Sequence, residues 1–270
     1  MKHLIVSFLA VILLFPASSA FCADHAPDSQ AVLTIYITRH AQRADRKFWP
    51  KADRNAVTRG EMIEGKLERP EEHSITPTGE RQCRALGEYL KKLGFRGKVI
   101  ASPVFRTMQT AVITAESCDP SLKVQPEPKL QTVGRGAAPR RGMSCSELEK
   151  RFPGKVIHTE YPEFWLLPKE TEKMRAERLT SILDGLIRGG ERGGVLLVTH
   201  SSAIPFLVAA LNRYAGSKTA ALEYSHRDDC LNCCLLIFRF NEKGKLVSSS
   251  ADTRNYLVPE LRTSNLTQRK

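Results

Sequence analysis

The stretch that decides the fold is residues 32–40, which read VLTIYITRH, and residues 194–200 repeat its form as GVLLVTH. In both stretches the apolar residues follow one another without alternation, and each run ends in a histidine. Such runs are typical of short strands that are buried on both faces, as in a parallel sheet. Ligands bind in the crevice beyond the carboxyl ends of parallel strands. Arg39, His40 and His200 are therefore predicted to face one site.

The rest of the chain alternates helical and extended patterns. Helices are predicted from Thr76-Pro77 to Gly94, from Ser102-Pro103 onward, at Ser144–Arg151, from about Glu170 to Arg188, and through Ile204–Leu211. Strands are predicted at Lys98–Ala101, Cys233–Phe240 and Lys245–Ser250. This alternation predicts an α/β fold of three layers, built on a doubly wound, mostly parallel sheet. The charged stretch 42–73 has no helical period, so we expect it to form a loop over the site. The segment 125–168 is rich in Pro, Gly and Arg and is expected to be mostly irregular.

Residues 1–23 have the form of a secretory signal peptide. Lys2 precedes an apolar run from Leu4 to Phe15, and small residues at 18–20 offer a cleavage site. The apolar run is shorter than the ~20 residues that a helix needs to cross a bilayer. We expect an exported protein, periplasmic or secreted, whose residues 24–270 form one catalytic domain without a stable membrane span. An uncleaved membrane anchor is the alternative.

Charge and aromatic content limit the classes of partner that the chain is expected to bind. Lys and Arg number 41 against 29 Asp and Glu, which gives a net charge of +12. This balance favours anionic partners, such as phosphorylated substrates or acidic envelope surfaces. The basic loops carry few aromatic residues at regular spacing, so no nucleic-acid partner is predicted.

The cysteines leave two alternatives open. An exported protein lies in an oxidising compartment, where six cysteines could form disulfides: Cys83, Cys118, Cys145, Cys230, Cys233 and Cys234. Their spacing does not reveal the pairing. The last three, together with His226, resemble half a zinc site, but no second cysteine pair lies nearby. We therefore expect buried thiols or a disulfide there, and no metal.

The two strand ends and one helix start suggest a phosphate site. Arg106 lies in the first turn of a predicted helix, where free backbone N–H groups and the helix dipole attract anions. Its guanidinium can form a bidentate hydrogen bond with phosphate oxygens. Arg39, Arg43 and Arg106 would together neutralise a phosphoryl group. His40 is the predicted nucleophile, forming a phosphohistidine that water cleaves. His200 is predicted to donate to the same oxygens and to stabilise the transition state.

Four ordered motifs resemble those of the histidine phosphatase superfamily, whose fold is phosphoglycerate-mutase-like. They are TRHA at 38–41, ITPTGERQ at 75–82, SPVFRTMQTA at 102–111 and VTHS at 198–201. The resemblance covers about residues 32–211 and implies a phosphatase that needs no cofactor and acts on a small phosphorylated substrate. Arg43 resembles the arginine of the Arg-His-Gly-x-Arg form in eukaryotic SH3-containing protein-tyrosine phosphatases. Phosphotyrosine-like aryl phosphates and envelope phosphates are the expected substrates.

One departure from the family pattern concerns the proton donor. The family places a glutamate or aspartate after the third motif, whereas residues 128–133 here read PKLQTV, so Gln131 or Thr132 takes its place. A missing general acid typically costs ~10²–10⁴-fold in rate, or roughly 3–5 kcal/mol. The candidate replacements are Glu127, Glu147 and Glu160. The alternative function is a phosphate- or phospholigand-binding protein with weak or no turnover.

Overall fold

A computed structural model describes residues 31–43, 74–132, 142–159, 161 and 170–264, and the backbone of two short strands within 62–67. The predicted signal peptide, most of the stretch 42–73, and Glu160 lie outside these residues. Within the described ranges, no helix is both long and apolar enough to cross a membrane.

A six-stranded mixed sheet forms the centre of the fold. Its strands are β1 (Ala31–Arg39), β4 (Gly97–Ala101), β5 (Val124–Pro126), β6 (Gly193–Thr199), β7 (Leu236–Asn241) and β8 (Leu246–Ala251), while β2 (Met62–Ile63) and β3 (Lys66–Leu67) pair separately. The order across the sheet is β5-β4-β6-β1-β7-β8. The strands from β5 to β1 run parallel, and β7 and β8 are antiparallel additions at one edge. The predicted α/β class and the mostly parallel sheet are confirmed.

Helices cover both faces of the sheet. They are α1 (Pro77–Lys92), α2 (Phe105–Cys118), α3 (Cys145–Arg151), α4 (Glu172–Arg188), α5 (Ile204–Asn212) and α6 (Thr253–Tyr256), with short 3₁₀ turns at 128–130, 218–220 and 259–261. Helices α1 and α2 pack on one face, and α4 and α5 pack on the other. Alternate side chains of β1 therefore enter two separate cores, Tyr36 on one side and Ile35 and Ile37 on the other. This two-sided burial is why the strand sequence is apolar without alternation.

The ends of α1 follow the sequence signals closely. The Thr76 hydroxyl caps the helix by accepting from the Gly79 N–H at 2.9 Å, and Pro77 occupies the first helical position. Gly94, with φ of +70°, follows the last turn. A left-handed residue at this position ends a helix, and glycine adopts it without a steric penalty.

Three predicted boundaries were wrong, each for a local reason. The helix of Arg106 begins at Phe105, because the Pro103 carbonyl accepts from the Met143 N–H at 2.7 Å instead of starting the helix. The strand predicted from Cys233 begins at Leu236, because Cys233 has φ of +51° within a turn. The segment expected to be irregular from residue 125 contains part of β5, which pairs with β4 over only three positions.

Candidate active site

The sheet brings the two predicted histidines to one edge. Strands β1 and β6 are parallel neighbours with Arg39 opposite Thr199, and the His40 N–H donates to the Thr199 carbonyl at 2.9 Å. The rings of His40 and His200, which follow these strands, have centroids 5.5 Å apart. Arg106 arrives from the first turn of α2, and its Nη2 lies 3.1 Å from His200 Nδ1. The three side chains are almost completely buried.

The tautomer of His40 follows from its one fixed partner. Nδ1 lies 2.8 Å from the Ala41 carbonyl oxygen. A carbonyl can only accept, so Nδ1 carries a proton and donates it. In the neutral ring the lone pair then belongs to Nε2. This arrangement supplies a nucleophilic nitrogen of fixed orientation.

His200 is held by two partners of different kinds. A guanidinium can only donate, so the contact with Arg106 makes His200 Nδ1 an acceptor. Nε2 of the neutral ring is then the donor to Ser102 Oγ at 3.0 Å. In this geometry His200 orients the Arg106 guanidinium. Its predicted donation to phosphate oxygens stays a prediction.

Burial and positive charge keep His40 neutral. Desolvation holds its pKa well below the ordinary value of 6.5, and the positive charges of Arg106, Arg39 and Arg43 lower the pKa further. Each cation disfavours a second positive charge on the imidazole. The same cations create a potential that favours an anion. The site therefore combines an unprotonated base with a binding field for phosphate.

The remaining two arginines of the predicted site, Arg39 and Arg43, both act electrostatically on His40. Arg39 donates from Nη1 to the Cys230 carbonyl at 2.9 Å, and the Ser264 hydroxyl lies 3.5 Å from the same nitrogen. Arg43 forms an isolated backbone bridge with Ile75, and its charge reaches His40. The structure thus brings together all five residues predicted to bind or attack phosphate.

Surrounding elements fix the backbone of residues 39–42. The carbonyls of Arg39, His40 and Gln42 accept from Cys233 N, Asn232 Nδ2 and Thr76 N, respectively. The N–H groups of His40, Ala41 and Gln42 donate to Thr199 O, Thr110 Oγ1 and Gln82 Oε1, respectively. All six distances are 2.9–3.1 Å. The sequence reasoning missed the side chains among these partners. Gln82 and Thr110 had a usable signal, since both are polar residues on the buried faces of amphipathic helices.

The segment that replaces the family's acid lies beside His200. The Thr199 hydroxyl donates to the Leu130 carbonyl at 2.9 Å, which places Gln131 and Thr132 at the end of β6. Both are buried, and neither carries a carboxyl group. The substituted position is therefore part of the site edge.

Two of the three candidate carboxylates are engaged as helix caps. Glu127 accepts from the Lys129 N–H at 2.8 Å and begins a 3₁₀ turn. Glu147 forms a capping box with Ser144 at the start of α3. Glu160 lies outside the described residues. Their predicted role as proton donors stays a prediction.

The six cysteines that the structure describes are all thiols. They include two contacting pairs, Cys83 with Cys233 and Cys230 with Cys234. The described part of the chain contains no group of three or more His, Cys, Asp or Glu residues arranged to hold a metal ion.

Comparisons with known proteins agree with this geometry. The family model of the histidine phosphatase superfamily (branch 1) matches residues 35–253. A probable phosphoglycerate mutase of Erwinia tasmaniensis is 27% identical over 181 residues, which cover 67% of this chain and 75% of the relative. A protein of the same name from Yersinia enterocolitica is 25% identical over 85% of this chain and 98% of the relative. The ecdysone phosphate phosphatase of Bombyx mori, solved with tungstate, superposes with a TM-score of 0.57 at 21% identity, covering 80% of this chain and 92% of that one.

The pKa of His40 gives a test of the site's electrostatics. We expect its ring proton resonances, followed by NMR, to stay those of a neutral imidazole at pH 6, because its pKa lies well below 6.5. The variant Arg106→Met should raise the pKa of His40, since the Arg106 charge lowers this pKa more than any other charge does. Arg84→Met, on the exposed face of α1, serves as the control and should leave it unchanged. A wild-type titration centred near 6.5 would contradict the proposed electrostatics.

Proposed function

Because the chain belongs to the histidine phosphatase superfamily (branch 1), we propose that it is an exported phosphomonoesterase that uses His40 as its nucleophile. Membership and the phosphatase and mutase names of its relatives support phosphoryl transfer through a histidine. The observation that carries the proposal is the neutral His40 imidazole, with Nδ1 committed to the Ala41 carbonyl and Arg39, Arg43 and Arg106 around it. Such a site suits a nucleophile that attacks an anionic phosphoryl group.

The first step forms the phosphoenzyme. The lone pair of His40 Nε2 attacks phosphorus in line, the phosphorus–oxygen bond to the leaving group breaks, and that oxygen departs with the bonding electrons. Arg39 and Arg106 offset the charge on the phosphoryl oxygens as the bond breaks. Burial strengthens these contacts because little water screens them.

The second step returns the enzyme to its starting state. Water attacks the phosphoryl group, the phosphorus–nitrogen bond breaks, and its electrons return to Nε2. The proton lost by the water completes inorganic phosphate or passes to solvent. Hydrolysis is favoured over mutase chemistry, because a mutase must preserve its phosphohistidine until the intermediate turns round, and an exported protein would meet few glycolytic phosphates.

The proposed location and substrates rest on sequence features. The signal-peptide form of residues 1–23 supports export to the periplasm or medium. The net charge of +12 favours phosphorylated envelope components. Aryl phosphates of the phosphotyrosine type are the other proposed class, on the strength of Arg43. Small phosphorylated molecules of either class are the proposed substrates.

Replacing the nucleophile tests the proposed activity. His40→Ala should abolish release of p-nitrophenol from p-nitrophenyl phosphate, with a loss of at least ~10³-fold in kcat/KM, because no phosphoenzyme can form. His158→Ala is the matched control, since His158 is exposed on a loop and should leave the rate unchanged. Equal activity of wild type and His40→Ala would overturn the proposal.

A second candidate function follows from the acid position. Thr132 stands where the family has a carboxylic acid, and the carboxylates of Glu127 and Glu147 cap helices. Without a proton donor, an alkoxide leaving group is expelled with difficulty. The protein would then bind phosphate esters and turn them over slowly or not at all.

Adding an acid separates the two functions. If the nucleophile works without an acid, wild type should hydrolyse aryl phosphates far faster than alkyl phosphates, because phenolates need little protonation. Thr132→Glu should then raise the alkyl rate by ~10-fold or more and leave the aryl rate nearly unchanged. Thr219→Glu, at an exposed position remote from the site, controls for added charge.

Two other results would change the assignment. Equal wild-type rates on aryl and alkyl phosphates would show that another group already donates the proton. Binding of inorganic phosphate or vanadate without turnover of any ester would support the binding function.

A further inference from the structure

We infer that Asn232 is a positioning residue for His40, fixed in its orientation by Thr263 near the C-terminus. The inference rests on the proposed role of His40 as nucleophile. Asn232 is 2% exposed, and its Nδ2 donates to the His40 carbonyl at 3.0 Å. It lies in the turn before β7 and is remote in sequence from both residues that it joins.

A directional chain of hydrogen bonds sets the orientation of the Asn232 amide. Gln82 accepts from the Gln42 N–H through Oε1, so its Nε2 is the end that donates to Thr263 Oγ1, at 2.8 Å. The Thr263 hydroxyl proton is then available to Asn232 Oδ1, 3.3 Å away. With Oδ1 accepting, Nδ2 faces the His40 carbonyl, which can only accept. Every member of the chain has one permitted direction.

The backbone contacts tie the same segments together. The Asn232 N–H donates to the Thr263 carbonyl at 2.9 Å, and Gln82 Nε2 also donates to the Leu261 carbonyl at 2.6 Å. Residues 261–263 thus connect the turn of Asn232 to helix α1. The chain end described by the structure is therefore part of the support of the nucleophile.

Backbone strain beside Asn232 is a second, independent observation. Cys233 has φ of +51° and is the one non-glycine residue with positive φ in the described ranges. A left-handed conformation is sterically unfavourable for such a residue, because its Cβ comes close to the following carbonyl oxygen. Strain of this kind persists where surrounding contacts over-determine the backbone. Here the Cys233 N–H donates to the Arg39 carbonyl at 3.1 Å, and its carbonyl accepts from the Tyr256 hydroxyl.

The contact acts on the ring of His40 through one peptide plane. The peptide between His40 and Ala41 is held at both ends, by Asn232 at its carbonyl and by Thr110 at its N–H. The Ala41 carbonyl that follows accepts from His40 Nδ1 and so aims Nε2. Without Asn232 this plane can rotate, and the imidazole loses its alignment. The guanidinium of Arg106, which comes from α2, keeps its place.

The experiment separates alignment from folding. The variants are Asn232→Ala, Thr263→Val and the conservative Thr263→Ser, and the matched control is Asn212→Ala. Asn212 lies at the C-terminal end of α5, and like Asn232 it holds a backbone carbonyl through its side-chain amide. Its Nδ2 donates to the Leu222 carbonyl and its Oδ1 accepts from the Leu222 N–H, both at 2.9 Å. For each protein, kcat and KM on p-nitrophenyl phosphate, the Tm, and the affinities for vanadate and inorganic phosphate are measured. Vanadate accepts a fifth ligand from a nucleophile, so its affinity reports the alignment of Nε2.

The expected pattern follows from alignment alone. Asn232→Ala should lower kcat by ~10–100-fold with KM changed by less than about threefold, since small misplacement of a reacting group has effects of this size. Vanadate affinity should fall about tenfold or more, while phosphate affinity stays within about threefold. Thr263→Val should lower kcat and vanadate affinity by smaller factors. Thr263→Ser, which keeps the hydroxyl, should have a kcat close to that of the wild type. Asn212→Ala should lower the Tm without lowering kcat.

Two results would contradict the role of Asn232. The inference fails if kcat of Asn232→Ala matches that of Asn212→Ala, or if vanadate and phosphate affinities fall together. A wild type without turnover would refute the proposed hydrolysis, while the ratio of vanadate to phosphate affinity would still decide the role of Asn232.

Discussion

The hydrogen bonding of the four residues from the last position of β1 onward, Arg39 to Gln42, is the constraint on which the site depends. Strand β6, helices α1 and α2, and the turn at 231–234 each contribute at least one partner. A net hydrogen bond in a protein contributes about 1 kcal/mol, but a buried group left without one costs ~1–3 kcal/mol. Alternative conformations of the segment are therefore unfavourable, because they would leave buried backbone groups without hydrogen-bond partners. His40, the proposed nucleophile, is consequently held by several elements of the fold and not by its own strand alone.

The pocket buries His40 and surrounds it with positive charge, and these two effects together keep the imidazole neutral. Arg106 and Arg39 are each at most 3% exposed, and both depress the pKa of His40. A phosphate dianion would offset this charge on binding. Burial lowers the pKa of His40 most, and the positive field that favours an anion lowers it further, so anion binding and an unprotonated Nε2 arise from the same surroundings.

The positions of the proposed reacting groups could be predicted from the sequence more readily than those of the residues that support them. His40 and His200 could be predicted because two buried strands end in them, and Arg106 because it opens a helix after a neighbouring strand. The supports could not be predicted in the same way, since Asn232 and Thr263 belong to irregular segments without periodicity. The start of β7 was misplaced because the conformation of Cys233 depends on tertiary contacts, and nothing in its local sequence signals a left-handed residue.

The site edge near Thr132 shows the other limit of sequence reasoning. The motif comparison indicated that a carboxylic acid is absent there, and the structure places Thr132 beside the end of β6. Whether a carboxylate from elsewhere donates the proton depends on spatial proximity, which residue spacing in an irregular segment does not determine. Glu127 and Glu147 illustrate this, because their neighbours recruit both as helix caps.

In the proposed mechanism, His40 Nε2 carries the phosphoryl group covalently. The most direct measurement is an alkaline quench during turnover of p-nitrophenyl phosphate, which preserves acid-labile phosphohistidine, followed by peptide mass spectrometry and ³¹P NMR. We expect a phosphoryl group on Nε2 of the His40 peptide, present in His158→Ala and absent in His40→Ala. Turnover with the phosphoryl group on His200 or another residue, or with none on His40, would contradict it.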